Sequence, residues 1–133
     1  MTPPLVLIVE DDEDIRDSLA DFLTDNGYRT AAAVNGRDAL DQLGAAAAHP
    51  CAIILDLMMP VMDGRAFREA QLQAPRLAHI PVILVTAHHE TSQSWIDPTL
   101  ADRLPKPINL VALMKTLQRI CRAADPSPGT SPT

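Results

Sequence analysis

Basic residues are the minority charge in this chain. There are 11 lysines and arginines against 17 aspartates and glutamates, for a formal net charge of −6. A nucleic-acid-binding surface would be basic, so direct nucleic-acid binding is not expected. Long apolar runs are missing as well. The longest are about five residues, such as Leu5 to Val9, against the roughly 20 needed to span a bilayer. The start, Met1-Thr-Pro-Pro, has no basic region ahead of an apolar stretch, so no secretory signal is read there. Cysteine is scarce: Cys51 and Cys121 are the two present. They lack metal-ligand spacing and do not make a disulfide framework. They read as small buried apolar residues in a reducing cytoplasm. There is no internal repeat, no P-loop and no glycine-rich dinucleotide loop.

What is present is enough for one domain. The chain has 133 residues, 47% of them hydrophobic, which suits a real core rather than a disordered chain. Apolar runs alternate with helical patterns. Leu5-Val-Leu-Ile-Val9 is unalternated and β-prone, as in a strand covered on both faces. Asp12 to Asn26 reads as a helix with Ile15, Leu19, Phe22 and Leu23 on one face and acids in its first turn. Tyr28 to Val34 is a weaker strand, and Arg37 to Ala47 a second helix with Leu40 and Leu43 turned in. Ala52 to Asp56 is the third strand, and Arg65 to Ala74 a helix packing through Phe67 and Ala70. Ile80 to Thr86 is the fourth strand, with its proline near the start. His88 to Asp97 is expected to hold a short helix and Ala101 to Leu104 a fifth strand. Asn109 caps a last helix whose apolar face is Leu110, Leu113, Met114, Leu117 and Ile120. From Ala124 the composition turns to Pro, Ser, Thr and Gly, a disordered tail. This divides the chain into an extension (1–4), a folded domain (5–123) and a tail (124–133). The alternation implies an α/β fold, a parallel sheet with helices on both faces.

The strand ends carry the chemistry. The first strand runs into Glu10-Asp11-Asp12, the third ends in Asp56, the fourth in Thr86, and the fifth leads to Lys106-Pro107. Ligands sit at the carboxyl edge of such a sheet. Carboxylates gathered at one point repel unless a cation lies among them. Hard oxygen donors suit Mg²⁺ or a similar ion. A carboxylate that accepts a phosphoryl group needs this compensation, with an ammonium and a hydroxyl for the other phosphoryl oxygens.

Val9-Glu10-Asp11-Asp12, the run Leu55-Asp56-Leu57-Met58-Met59-Pro60-Val61-Met62-Asp63-Gly64, Val85-Thr86-Ala87 and Lys106-Pro107 together resemble the receiver domain of response regulators, over about residues 5 to 122. The resemblance implies a flavodoxin-like doubly wound (βα)5 fold with strand order 2-1-3-4-5. It implies Asp56 as phosphoacceptor and metal ligand, and Asp11 as a direct ligand. Glu10 would act mainly through metal-bound water, and the Met58 backbone carbonyl would complete the protein's share of the shell. Thr86 would be the switch hydroxyl and Lys106 the phosphate-binding lysine. Mg²⁺ or Mn²⁺ is the implied cofactor and a cis bond before Pro107 is implied. A histidine kinase or histidine phosphotransfer protein is the implied donor, and an output protein the other partner. Neither nucleic acid nor membrane is expected. The location implied is the bacterial cytoplasm, in a stand-alone signalling domain rather than an enzyme on other substrates.

Each residue has a plainer reading. The acids after the first strand would serve any helix N-terminus, Asp56 alone would be a turn residue, Thr86 a strand former and Lys106 a surface charge. Their joint occurrence favours the site. Asp12 reads as a helix residue rather than a ligand. His88 and His89 read as exposed loop residues, Met59 and Met62 as packing, and Trp95 as core or partner-facing. One departure from the family is Arg103, where receivers carry an aromatic switch residue. Arg103 is expected in solvent or paired with Asp102 or Asp97, and phosphorylation is expected to act through residues 87–100. Two other functions compete. One is a scaffold that has lost phosphorylation, against which the intact Asp11, Asp56, Thr86 and Lys106 stand. The other is a haloacid-dehalogenase-type phosphatase, which wants an Asp where Met58 stands.

Overall fold

The structure, a computed structural model, describes residues 3–87 and 97–121. The elements run β1 (Leu5–Val9), α1 (Glu13–Asp25), β2 (Arg29–Ala33), α2 (Gly36–Ala45), β3 (Ala52–Asp56), α3 (Gly64–Leu72), β4 (Val82–Thr86), β5 (Asp102–Pro105) and α4 (Leu110–Cys121). The strands form one five-stranded parallel sheet in the order β2-β1-β3-β4-β5. This is the doubly wound order that the resemblance implies. The short helix expected over His88 to Asp97 lies almost wholly outside the described residues, as do His88, His89, Trp95 and the tail.

Side-chain alternation along the strands splits the core in two. Leu7, Val9, Ile53, Leu55, Val82 and Leu84 point to one face and pack against α2 and α3 through Ala39, Leu43 and Phe67. Val6, Ile8, Ile54, Ile83 and Val85 point to the other and meet Leu19 and Leu23 of α1 and Leu113 and Leu117 of α4. Both faces of β3 and β4 are covered, so every residue of these strands is buried. That is why they read as continuous apolar runs.

Each helix starts on an Asx side chain. Asp12 accepts from the Ile15 N–H at 3.1 Å, Asn35 from Asp38 at 2.8 Å, Asp63 from Ala66 at 2.8 Å and Asn109 from Ala112 at 3.0 Å. Such caps contribute about 1 kcal/mol apiece. Asp12, read as a residue of the helix start, is its cap. The Asp63 cap starts α3 at Gly64, one residue earlier than expected. Leu110 departs from the expected apolar face of α4: it is 40% exposed.

The cysteine reading is overturned. Cys51, just ahead of β3, and Cys121, at the end of α4, are joined by a disulfide with Cα atoms 5.5 Å apart. The reason is topological. α4 leaves the carboxyl edge of the sheet and runs back, so its last residue returns to the edge where β3 begins. A separation of 70 residues hides that in the sequence.

Of the two alternatives expected for Arg103, solvent or a pair with Asp102 or Asp97, the pair is not formed. Asp97 is occupied by Arg68, whose Nε lies 2.8 Å from Asp97 Oδ2. Asp102 accepts from the Thr116 hydroxyl and the Arg103 N–H. Among the described residues the Arg103 guanidinium has no ion pair. Arg68 itself was unforeseen. It is 3% exposed and also donates to Gln71 Oε1 at 2.8 Å and Thr99 Oγ1 at 2.7 Å. Gln71 in turn donates to the carbonyls of Leu77 and Ile80. This network fastens residues 97–99 to α3, so that end of the 87–100 stretch is anchored.

Removing one partner of a buried charge network leaves the others unpaired. Arg68→Ala should therefore cost about 3 kcal/mol, read as a shifted urea midpoint. Arg65→Ala, which breaks an exposed pair with Glu69, should cost under about 0.5 kcal/mol. Equal midpoint shifts would show that the buried network adds nothing.

Candidate functional site

The ladder between strands sets the site. Val9 pairs with Leu55, Asp56 with Val85, and Thr86 with Pro105. Hydrogen bonding continues just past the strands. The N–H of Glu10 donates to Ala33 O at 3.1 Å, that of Leu57 to Val85 O at 3.0 Å, and that of Lys106 to Thr86 O at 2.7 Å. Four strand ends thus finish level, with backbone positions fixed. The Lys106–Pro107 bond is cis, as expected from the resemblance.

Of the residues read from sequence, the structure brings Glu10, Asp11, Asp56 and Lys106 together. Carboxylate oxygens of the three acids lie within 4.8 Å of one another. Lys106 Nζ is 3.2 Å from Asp56 Oδ1 and 3.4 Å from Glu10 Oε1. Asp56, Glu10 and Thr86 are buried, whereas Asp11 faces solvent. Glu10 is held by the Asp12 N–H, which donates to Oε2 at 3.1 Å. Thr86 ends β4 at the same edge. Met58 lies two residues past Asp56 and is 55% exposed, and Met59 and Met62 pack as read.

Burial and like charge strain this arrangement. Burial pushes the Asp56 carboxyl up, against the pull of the Lys106 ammonium. Burial, with the Asp56 charge, lifts Glu10 to about 7, although the Asp12 N–H and Lys106 oppose it. Burial would lower Lys106, but attraction to Asp56 and Glu10 outweighs it and the ammonium is held above its usual range. One ammonium faces two buried acids. Although Lys106 Nζ is close, Asp56 Oδ1 is buried and accepts no well-directed hydrogen bond. An orphaned buried carboxylate oxygen beside two further carboxylates is what a hard divalent cation would satisfy, so the residues fit Mg²⁺ or Mn²⁺.

Three local features shape the surroundings. A Cβ on Gly64 would lie 2.5 Å from Asp56 O, so only glycine lets α3 begin this close to the strand end. Val61 sits at φ 68°, a left-handed conformation costly for a β-branched residue, on the loop that follows Asp56. A groove of about 650 Å³ runs from Lys106 between α1 and the start of α4, floored by Ile15, Leu19, Pro107 and Ile108. Sequence reading missed Arg16, whose Nη1 donates to Glu10 O at 2.9 Å. Its only signal was an arginine one turn into a helix that opens beside an acidic pair.

The fold and the strand ends define a doubly wound α/β domain with acids and a lysine gathered at its carboxyl edge. Residues 6–118 match the response regulator receiver domain family, and the chain belongs to it. It is 35% identical over 130 residues to Response regulator MprA of Mycolicibacterium vanbaalenii, covering 96% of this chain and 54% of that protein. It thus spans about half the length of the curated relatives it matches. Among solved structures, the chemotaxis response regulator CheY4 of Vibrio cholerae has a TM-score of 0.77 and 34% identity, covering 90% of this chain and 99% of that one. The receiver domain of a signal transduction histidine kinase from Syntrophus aciditrophicus has a TM-score of 0.78 and 29% identity, covering 98% of each chain. The chain is a receiver domain of bacterial two-component systems.

The raised Glu10 has a sign that can be measured. A cation needs Glu10 ionised, so below about pH 7 binding must displace a proton. Mg²⁺ affinity should fall with pH there, by up to about tenfold per unit. Glu10→Gln should flatten the profile. For the metal-free fold the same shift favours the protonated form. Glu10's contribution to stability is therefore greatest below its ordinary value of 4.5 and is lost as pH rises to about 7. A pH-independent Mg²⁺ affinity between 5.5 and 8, read by fluorescence or calorimetric titration at about those values, would remove Glu10 from the site.

Proposed function

We propose that Asp56 accepts a phosphoryl group from the phosphohistidine of a histidine kinase or histidine phosphotransfer protein. The Asp56 carboxylate oxygen attacks phosphorus, the P–N bond breaks, and the imidazole leaves with its electron pair. The observation that carries this reading is the buried, unbonded Oδ1 of Asp56, 3.2 Å from the Lys106 ammonium. Lys106 pairs with a phosphoryl oxygen once the carboxylate charge has passed to the phosphate. Thr86, one residue past the Asp56 partner Val85 at the next strand end, offers its hydroxyl to another. Glu10, Asp11, Asp56 and the Met58 carbonyl would hold Mg²⁺ or Mn²⁺. When bound, that ion supplies neutralisation of phosphoryl oxygen charge. The groove beside Lys106 gives a donor's helix an apolar seat next to the acceptor.

On this reading the module catalyses only its own phosphorylation and dephosphorylation. Phosphorylation then switches conformation to control binding of an output protein. Residues 5–123 form the receiver unit, flanked by 1–4 and a tail from 124. It works in the cytoplasm, without direct nucleic-acid or membrane binding. No described helix is long and apolar enough to cross a membrane. A haloacid-dehalogenase-type reading fails on Met58, which has no proton to transfer where that chemistry wants a carboxyl group.

Acetyl phosphate with Mg²⁺ should add one phosphoryl mass to the wild type and none to Asp56→Asn, read by intact mass spectrometry. An unlabelled wild type under metal-binding conditions would sink the proposal. Asp11→Ala should keep the fold and lower Mg²⁺ affinity by at least about tenfold, as loss of a ligand should exceed the loss of an outer-shell partner. Unchanged affinity would take Asp11 out of the ligand set.

A further inference from the structure

We propose that Cys51 and Cys121 form a reversible thiol–disulfide site that fastens the end of α4 to the start of β3. Nothing in the phosphoacceptor chemistry uses this pair. It lies at the opposite edge of the sheet: Cys51 precedes β3 and Asp56 ends it. The proposal therefore goes beyond the receiver reading and does not rest on it.

Three observations carry it. The first is that the fold does not need the bond to build its core. Both faces of the sheet are closed by buried apolar side chains contributed by all four described helices. Small scaffolds that require disulfides are those that lack such a core. The second is an asymmetry in access. Cys121 is 1% exposed and packed in the apolar layer under α4, whereas Cys51 is only half-buried. Of the two residues, Cys51 is the one with surface open to a reagent from solvent. An accessible thiol with a buried resolving partner is the arrangement that converts oxidation into a single intramolecular disulfide. The third is mechanical. The Cys51 N–H donates to Leu5 O at 2.8 Å, so this cysteine is anchored to β1 in the middle of the sheet. Cys121 is the last described residue of α4. Oxidation ties α4 at Cys121 to a point fixed on the sheet.

The oxidant class is a peroxide. The Cys51 thiolate attacks one peroxide oxygen, giving a sulfenic acid and, after protonation of the leaving hydroxide, water. The Cys121 thiol then attacks the Cys51 sulfur, the S–O bond breaks, and the hydroxyl leaves as a second water. Two thiols and one hydrogen peroxide become one disulfide and two waters. Reduction runs through thiol exchange. An external dithiol attacks Cys51, Cys121 leaves as the thiolate, and the dithiol closes on itself.

The whole chain is reduced with dithiothreitol, freed of it, and treated with hydrogen peroxide. The reduced protein should take two iodoacetamide adducts after denaturation. The peroxide-treated protein should take none and weigh about 2 Da less, for the two hydrogens removed. Dithiothreitol should restore both adducts. Under peroxide with dimedone, Cys121→Ser should trap a sulfenic acid at Cys51, and Cys51→Ser should trap none at Cys121. Amide exchange over residues 117–121 should be roughly tenfold faster in the reduced form. Two adducts remaining after peroxide, an intermolecular dimer in place of the internal bond, or equal exchange in the two states would each overturn the proposal. Asp56 labelling is not among these readouts, so its failure and the failure of this site are seen separately.

Discussion

The Lys106 ammonium is the constraint on which the carboxyl edge depends. It lies 3.2 Å from Asp56 and 3.4 Å from Glu10, two acids that the fold has taken out of water. Without it, burial and mutual repulsion would drive both carboxyls neutral, and a neutral Asp56 is no nucleophile. One cation cannot fully balance two buried acids and Asp11 beside them. The raised Glu10 and the unbonded Asp56 oxygen record that shortfall. The site is therefore built short of positive charge. On the proposed reading, that deficit would favour a divalent ion before phosphorylation and leave Lys106 for the phosphoryl oxygens after it.

Such a deficit survives only in a rigid frame. The parallel ladder brings four strand ends level, and backbone hydrogen bonds extend past the strands to Glu10, Leu57 and Lys106. Gly64 lets α3 start against the Asp56 carbonyl, and Asp63 caps that helix at once. Two apolar layers, one on each face, hold the sheet from both sides. Stability and site share the same geometry: the register that buries Leu55 and Val85 is the register that places Asp56 beside Lys106.

Away from this edge, two contacts distant in sequence hold the described residues in place. Arg103 stands where the resemblance places an aromatic, and its guanidinium reaches neither Asp97 nor Asp102. Asp97 is instead drawn into the Arg68 network, where Arg68 and Thr99 hold its carboxyl below the usual range against the cost of burial. Residues 97–99 are thereby fixed to α3, and the disulfide fixes the end of α4 to β3. Any rearrangement that starts at Thr86 meets a downstream segment pinned by charge on one side of the sheet and by sulfur on the other.

Much of this was legible in the chain itself. Unalternated runs such as Ala52 to Leu55 announce strands covered on both faces, because only burial on both sides removes the need for a polar alternation. Asx residues ahead of apolar periodicity announce the helix starts, since the cap is a local hydrogen bond. Acids, hydroxyl and lysine at strand ends announce the site, because a parallel sheet delivers its strand ends to one edge. What stayed hidden depends on pairs distant in sequence. Arg68 and Gln71 look like exposed helix residues until Asp97, Thr99 and two carbonyls close around them. Cys51 and Cys121, 70 residues apart, become neighbours only because α4 runs back along the sheet. Local interactions are written in adjacent residues, whereas burial of a charge and contact between distant sulfurs are decided by how the layers pack.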